Sequence, residues 1–246
     1  EHLTLVHPED YVAKVFDLVP TEGTSRIDAD TLMSPKSGEA ALRAAGALVD
    51  AVDAVMTGAA DNAFCAIRPP GHHAEPTQGM GFCLFNSVAI GAEHARQAHG
   101  AERVAVMDFD VHHGNGTQAM FWNEPGLFYA STHQWPLYPG TGDKNETGAH
   151  GNIANAPLWP GAGSDDFRTA MRDVVLPAMK NFGPDLILIS AGFDAHRRDP
   201  LAQLSLETED FAWATDELRR LAEAVCGGRV VSTLEGGYDL KALGES

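Results

Sequence analysis

Cationic side chains are scarce in this chain. Lys and Arg total 17 against 34 Asp and Glu, a formal net charge of −17. Phosphate binding needs clustered Lys and Arg, so nucleic acid is excluded as a direct partner. The field instead favours solubility and cationic ligands. Cysteine is scarcer still: Cys65, Cys83 and Cys226 make no CxxC pair. An odd, sparse count points to reduced thiols buried as small hydrophobes and to an intracellular, cytoplasmic setting. No apolar run approaches the roughly 18–20 residues of a membrane span; the longest, such as Leu186–Ile189, are strand-sized. Gly-rich phosphate loops, internal repeats, low-complexity tracts and a signal peptide are also missing. The chain opens on Glu1 rather than Met, which reads as a fragment or processed form.

What remains is an ordinary globular composition, 246 residues with 44% hydrophobic and 21% charged, sized for one large domain. Short apolar runs alternate with segments of helical period. Strands are expected over Phe64–Ile67, Arg103–Phe109, Leu127–Ser131, Asp185–Ser190 and Arg229–Leu234. Several are apolar at consecutive positions, as in strands buried on both faces of a parallel sheet. Helices are expected over Ser37–Met56 (Leu42, Ala45, Val49 and Val52 inward), Asn86–His99, Asp166–Phe182 and Thr208–Val225. In the third, Phe167, Met171, Val174, Ala178 and Phe182 share a face and Pro177 marks a kink. This alternation implies an α/β fold, a three-layer helix–sheet–helix sandwich with a mainly parallel sheet.

Each of the five strands hands over to a polar or Gly-rich loop at its carboxyl end. In an open α/β sheet those ends share the edge where ligands bind. Asp108, Asp110 and His112 lie two apart and point to one side of an extended backbone. Asp108 and Asp110 terminate the apolar run Val104–Met107, and Asp194 terminates Leu186–Ile189. Carboxylates there lose hydration and need a compensating cation, either a metal or the nearby Arg68. Two carboxylates and one imidazole leave a tetrahedral position open, the arrangement of catalytic zinc. A two-metal site of the arginase and agmatinase kind would need further carboxylates two residues after His112 and Asp194; Gly114 and His196 stand there, so one metal is expected. His2, His7, His94, His99 and His150 read as surface or helix residues, and His113 as a packing or hydrogen-bonding residue.

Six motifs then appear in order: RPPGHHA (Arg68–Ala74), MGFCLFN (Met80–Asn86), DFDVHHGNGT (Asp108–Thr117), YPGTG (Tyr138–Gly142), SAGFDAHRRDPL (Ser190–Leu201) and EGGY (Glu235–Tyr238). Together they resemble the zinc-dependent histone deacetylase superfamily, nearest its class II and bacterial amidohydrolase branch. The resemblance implies an arginase/deacetylase fold with an eight-stranded sheet. It also implies Zn²⁺ on Asp110, His112 and Asp194, with His72 and His73 as the tandem active-site histidines and His73 the general base and acid. Tyr238 would donate a hydrogen bond to the scissile carbonyl, and Asp108 would hold His72. Gly81 and Phe82 would line an acyl-lysine tunnel opposite Tyr138. Asn115 stands where some members carry an Asp behind the second histidine, and Asp30 falls where some hold the substrate backbone. A structural monovalent cation (K⁺) would sit on carbonyls of Asp108, Asp110 and His112 with Ser131 and Thr132.

The function so implied is hydrolysis of N-acyl-lysine in peptides or proteins, with N-acyl polyamines the alternative substrate. An inactive acyl-lysine-binding module or an acetoin-utilisation-type regulator is the alternative from another class. Residues 1–246 are expected to form one deacetylase-like catalytic domain lacking part of its N-terminal segment. Oligomeric state is left open.

Overall fold

The computed structural model describes residues 1–246. Its strands are β1 (Ser25–Arg26), β2 (Leu32–Met33), β3 (Asn62–Cys65), β4 (Val104–Asp108), β5 (Leu127–Gln134), β6 (Ile153–Leu158), β7 (Leu186–Ala191) and β8 (Val230–Leu234). Its α-helices are α1 (Glu9–Asp17), α2 (Ser37–Met56), α3 (Ser87–His99), α4 (Asn115–Phe121), α5 (Ser164–Ala170), α6 (Leu176–Phe182), α7 (Thr208–Cys226) and α8 (Leu240–Glu245). Six strands form one all-parallel sheet in the order β3-β8-β7-β4-β5-β6. The family resemblance implied eight. The other two, β1 and β2, are two residues long and pair only with each other, antiparallel.

Strand alternation splits the core. Ala105 and Met107 of β4, with Ile187 and Ile189 of β7, face Phe167, Met171, Phe211 and Leu218 of the α5–α7 layer. Val104, Val106, Leu186 and Leu188 face Leu48 and Val52 of α2 and Val88 and Ala92 of α3. Consecutive apolar positions in β4 and β7 are therefore each accounted for by one of two helical layers. A third cluster packs Tyr11 and Val15 of α1 onto Ala41 and Ala45 of α2. No helix is long and apolar enough to cross a membrane.

The strand order reverses direction at β4. From β4 the chain builds outward through β5 and β6, then returns to β7 on its other side and continues to β8. The carboxyl ends of β4 and β7 therefore flank a crevice at a topological switch point. Register aligns Asp108 of β4 with Ser190 of β7 and with Ser131 of β5. The loops carrying Asp110 and Asp194 leave from the same level.

Several expectations need correction. The expected helix Asp166–Phe182 is α5 and α6 joined by a π-helical turn, Met171–Val175. Pro177 has no N–H to donate four residues back. The wide turn shifts the inward face, so Val175 and Met179 are buried and Val174 is 40% exposed. Leu42 is exposed in α2, its expected inward place taken by Ala41. Strand β6 escaped notice because it carries Pro157 and Asn155, tolerable at a sheet edge. His7 is buried and lies outside any helix, while His94 is on helix α3 as expected and is buried there.

His7 stitches the N-terminal segment to the site loops: its Nε2 accepts from the Asn86 N–H (2.9 Å) and its Nδ1 donates to the Pro76 carbonyl (3.1 Å). Burial lowers its pKa from 6.5 to about 4. Between those values the unfolded chain binds a proton that the folded chain refuses. Its contribution is therefore complete above the unfolded pKa and falls by about 3 kcal/mol as pH drops through the folded one. Denaturant unfolding measured from pH 7.5 to 4 should show this loss, and His7→Gln should flatten it. An unchanged pH slope in the variant would contradict the assignment.

Candidate active site

Past Asp108 the backbone leaves the ladder and folds the DFDVHH segment over the sheet edge. Asp108 is fully buried. Its Oδ2 accepts from His72 Nδ1 (2.9 Å) and the Tyr129 hydroxyl (3.0 Å), and its Oδ1 accepts from the Asp110 N–H (3.1 Å). Asp110 is pinned twice more, by the N–H groups of His112 (2.9 Å) and Gly236 (2.7 Å), and Asp194 accepts from the Val111 N–H (2.9 Å). Only glycine serves at 236, because a Cβ there would run into carboxylate oxygens of both Asp110 and Asp194.

These bonds bring three ligand-type atoms together. His112 Nδ1 stands 3.2 Å from Asp110 Oδ1 and 3.1 Å from Asp194 Oδ2, and all three atoms lie within 4.8 Å of one another. Burial and the neighbouring Asp110 charge push Asp194 up to about 7. Burial opposes ionisation of Asp110 too, but His72 and His112 outweigh it and hold that carboxyl well below the usual range. Two buried carboxylates converging on one imidazole are the donor set of a divalent cation with a free coordination position. Arg68, the other cation considered, is engaged elsewhere, donating from Nη1 to the Glu235 carbonyl (2.7 Å).

The tandem histidines lie with ring centroids 4.0 Å apart, tilted at 44°, yet face different partners. Burial disfavours the His72 cation, but Asp108, Asp110 and Glu235 prevail and raise its pKa well above 6.5. Burial and the adjacent His72 charge hold His73 well below 6.5. His73 Nδ1 donates to Asn115 Oδ1 (2.8 Å), and Asn115 Nδ2 donates to Glu75 Oε1 (2.8 Å). The Glu75 carboxylate can only accept, which fixes the amide orientation and leaves His73 Nε2 unprotonated when the ring is neutral.

Above this floor the pocket narrows between Gly81, Phe82, Tyr138, Leu201 and Tyr238, with Asp30 at the mouth. The Gly81 and Phe82 N–H groups donate to Asp30 Oδ1 (3.2 Å) and Thr31 Oγ1 (3.0 Å). Phe82 sits at φ +68°, a costly conformation for a non-glycine residue and one that clusters at ligand clamps. Its ring lies 6.0 Å from that of Tyr238, while the Tyr138 ring stands edge-on to His73 at 5.2 Å. Burial and the charges of Asp110 and Asp194 raise the Tyr238 phenol above its usual range, so it stays an O–H donor.

Of the residues singled out from sequence, His72, His73, Gly81, Phe82, Asp110, His112, Tyr138 and Tyr238 line this pocket; Asp108, Asp194 and Asn115 stand just behind it. His113 packs away, bonded to Thr141 and Gln118. His133 is buried between Ser131 and the Gly142 carbonyl. Four supporting residues went unrecognised. Tyr129 looks like any apolar strand residue until its hydroxyl is placed. Glu75 lies just past one motif and Asp199 within another, and neither carries a spacing signal. Glu235 accepts from the N–H groups of Gly71 (2.6 Å) and His72 (3.1 Å), and its position at a buried strand end was the one available clue. Asp199 holds the Tyr238 backbone N–H at 2.7 Å.

A parallel sheet with an Asp-His-Asp group at its switch point, ringed by histidines and a tyrosine, defines an arginase/deacetylase-type α/β protein. The histone deacetylase domain model matches residues 1–246, and the chain belongs to that family. It is 45% identical over 232 residues to histone deacetylase 14, chloroplastic, of Arabidopsis thaliana, covering 92% of this chain and 53% of the relative. It is 44% identical over 242 residues to a histone deacetylase-like amidohydrolase of Pseudomonas aeruginosa, covering 97% and 63%. It is 38% identical over 262 residues to the polyamine deacetylase HDAC10 of Mus musculus, covering 100% and 38%. The chain thus spans less than two thirds of the length of these relatives. The crystal structure of the HDA15 HD domain superposes with a TM-score of 0.94 at 39% identity, covering all of this chain and 69% of that one.

Tyr129 offers a test of the supporting network. Its hydroxyl also accepts from the Gly114 N–H (2.9 Å). Tyr129→Phe strands that buried donor and should cost about 1–3 kcal/mol in denaturant unfolding. Wild-type stability in the variant would show that the hydroxyl supports nothing.

Proposed function

We propose that the chain is the catalytic part of a zinc-dependent amidohydrolase that removes the acyl group from N-acyl-lysine in peptides or proteins. The observation that carries this reading is the convergence of Asp110, His112 and Asp194 at the floor of a pocket that also holds His73 and Tyr238. The donor set suits one Zn²⁺ held by those three side chains. Such an ion supplies Lewis acidity and brings the pKa of water down to about 7.

The protein's own groups do the rest. His73 Nε2 takes a proton from the attacking water and returns it to the departing amine. Its Nδ1–H stays on Asn115, and Glu75 behind that amide restores some of the negative charge that an Asp would have supplied. His72, kept cationic by Asp108, adds a fixed positive charge beside the reacting carbonyl. Tyr238 donates its O–H to the carbonyl oxygen as negative charge develops there, the service an oxyanion hole gives. Gly81, Phe82 and Tyr138 flank the apolar methylene stem of the acyl-lysine, and Asp30 at the mouth accepts from its backbone. A K⁺ ion on the carbonyls of Asp108, Asp110 and His112, with Ser131 and Thr132, belongs to the same reading. The β4–β5 register that sets Ser131 beside Asp108 favours it.

Acylated polyamines are the second substrate class, favoured by the likeness to a polyamine deacetylase. The exposed apolar mouth, with Phe82, Tyr138 and Leu201 against the single carboxylate of Asp30, favours peptides. The three unpaired cysteines suit a reducing, cytoplasmic setting. An inactive reader or regulator is disfavoured because every group in this mechanism is present.

Asp194→Ala should remove the catalytic zinc and all turnover. Tyr238→Phe should keep the zinc and lose roughly 10²–10³-fold in kcat. Metal content by mass spectrometry, alongside hydrolysis of acetyl-lysine peptides and acetylpolyamines, checks both. Undiminished turnover in Tyr238→Phe refutes its role, and turnover of polyamines alone replaces the peptide reading.

A further inference from the structure

A second histidine–carboxylate cluster lies well away from the pocket. Asp53 Oδ1 stands 2.7 Å from His94 Nε2 and 2.6 Å from His99 Nε2, and these three atoms also fall within 4.8 Å of one another. The His94 and His99 rings are 5.7 Å apart and nearly perpendicular, and the His2 ring stands edge-on to His94 at 5.1 Å. Two imidazoles and one carboxylate from two helices therefore gather around one small volume, with the His2 ring packed beside them.

Its place in the fold favours a cation. Asp53 lies in the last turn of α2, and His99 is the final residue of α3. The carboxyl ends of two helices meet here, each bringing partial negative charge. The other end of α3 abuts the pocket loops, where Asn86 Nδ2 donates to the Ala74 carbonyl (3.2 Å). Thirteen helical residues separate the two places by about 20 Å, so neither can share ligands with the other.

We propose that Asp53, His94 and His99 form a second divalent-metal site selective for zinc-like ions, with its fourth coordination position open. Two or three imidazoles and a carboxylate are the donors such ions take in tetrahedral sites. Metal–ligand bonds of about 2.0–2.1 Å place neighbouring donors roughly 3.3 Å apart. Admitting the ion therefore opens the present contacts by about 0.6 Å. The Asp53 side chain, 48% exposed, has the freedom to swing that far. An ion held there would tie the carboxyl end of α2 to that of α3. This inference does not rest on the proposed function, since none of its ligands touches the pocket.

Metal stoichiometry tests it. The apo protein is loaded with Zn²⁺, unbound metal is removed, and zinc per chain is measured. We expect two equivalents in the wild type. One should remain in His99→Ala, in Asp53→Asn and in Asp194→Ala, and none in His99→Ala combined with Asp194→Ala. Asp53→Asn keeps an acceptor for the histidines and should fold; a circular dichroism melt verifies this. Zinc beyond the first equivalent should raise the melting temperature of the wild type and not that of Asp53→Asn. A single equivalent in the wild type overturns the proposal and marks the cluster as hydrogen-bonded only. Two equivalents in His99→Ala overturn it as well. Two equivalents in Asp194→Ala would instead count against the catalytic site.

Discussion

Two carboxylates, Asp110 and Asp194, are held side by side in an interior that excludes water. Each is about 1% exposed, and each would cost several kcal/mol to bury as an uncompensated ion. Their N–H partners on Val111, His112 and Gly236 soften that cost without cancelling the charge. The repulsion shows at Asp194, which burial and the Asp110 charge push up to about 7, while His72 and His112 hold Asp110 ionised. A compact positive charge between them removes the conflict. The surrounding design, from the glycine at 236 to the buried Asp108, keeps the two from relaxing apart.

The sheet makes this confinement possible. Because β4 and β7 are adjacent but belong to arms of the chain that build in opposite directions, no crossover helix covers the gap at their carboxyl ends. Asp110 and His112 enter from one side and Asp194 from the other. The same edge receives Tyr238 from β8, with Asp199 fixing its backbone, and the histidine pair from the loop after β3. Four segments distant in sequence meet there, two of them within the long loops that follow β3 and β7.

Much of this was legible in the sequence because burial and chemistry conflict there. Aspartates ending apolar runs at Asp110 and Asp194 announce a site whatever the family, and α2 is bounded as its periodicity predicts. What stayed hidden obeys other rules. Tyr129 and Glu235 act by reaching across strands, and neither spacing nor polarity reveals a partner at that distance. The π-helical turn alters the face of α5–α6 by one residue, a change that a fixed period of 3.6 cannot register. The burial of His7 and His94 is hidden because their partners, Asn86, Pro76 and Asp53, lie far off in the chain.

The adjacent histidines make the strongest case that partners, not residue types, assign roles. His72 and His73 share a backbone, a depth and nearly a ring stack. His72 meets a carboxylate directly and is held as a cation; His73 meets an amide and is held neutral. Had both faced carboxylates, both rings would be favoured as cations and neither would be held neutral. Had both faced amides, nothing would offset the burial of either charge, and the fixed cation would be lost. Asn115 in place of an Asp is thus no defect. With Glu75 one bond further out, the amide keeps His73 oriented by its Nδ1–H and leaves the opposite nitrogen free to accept.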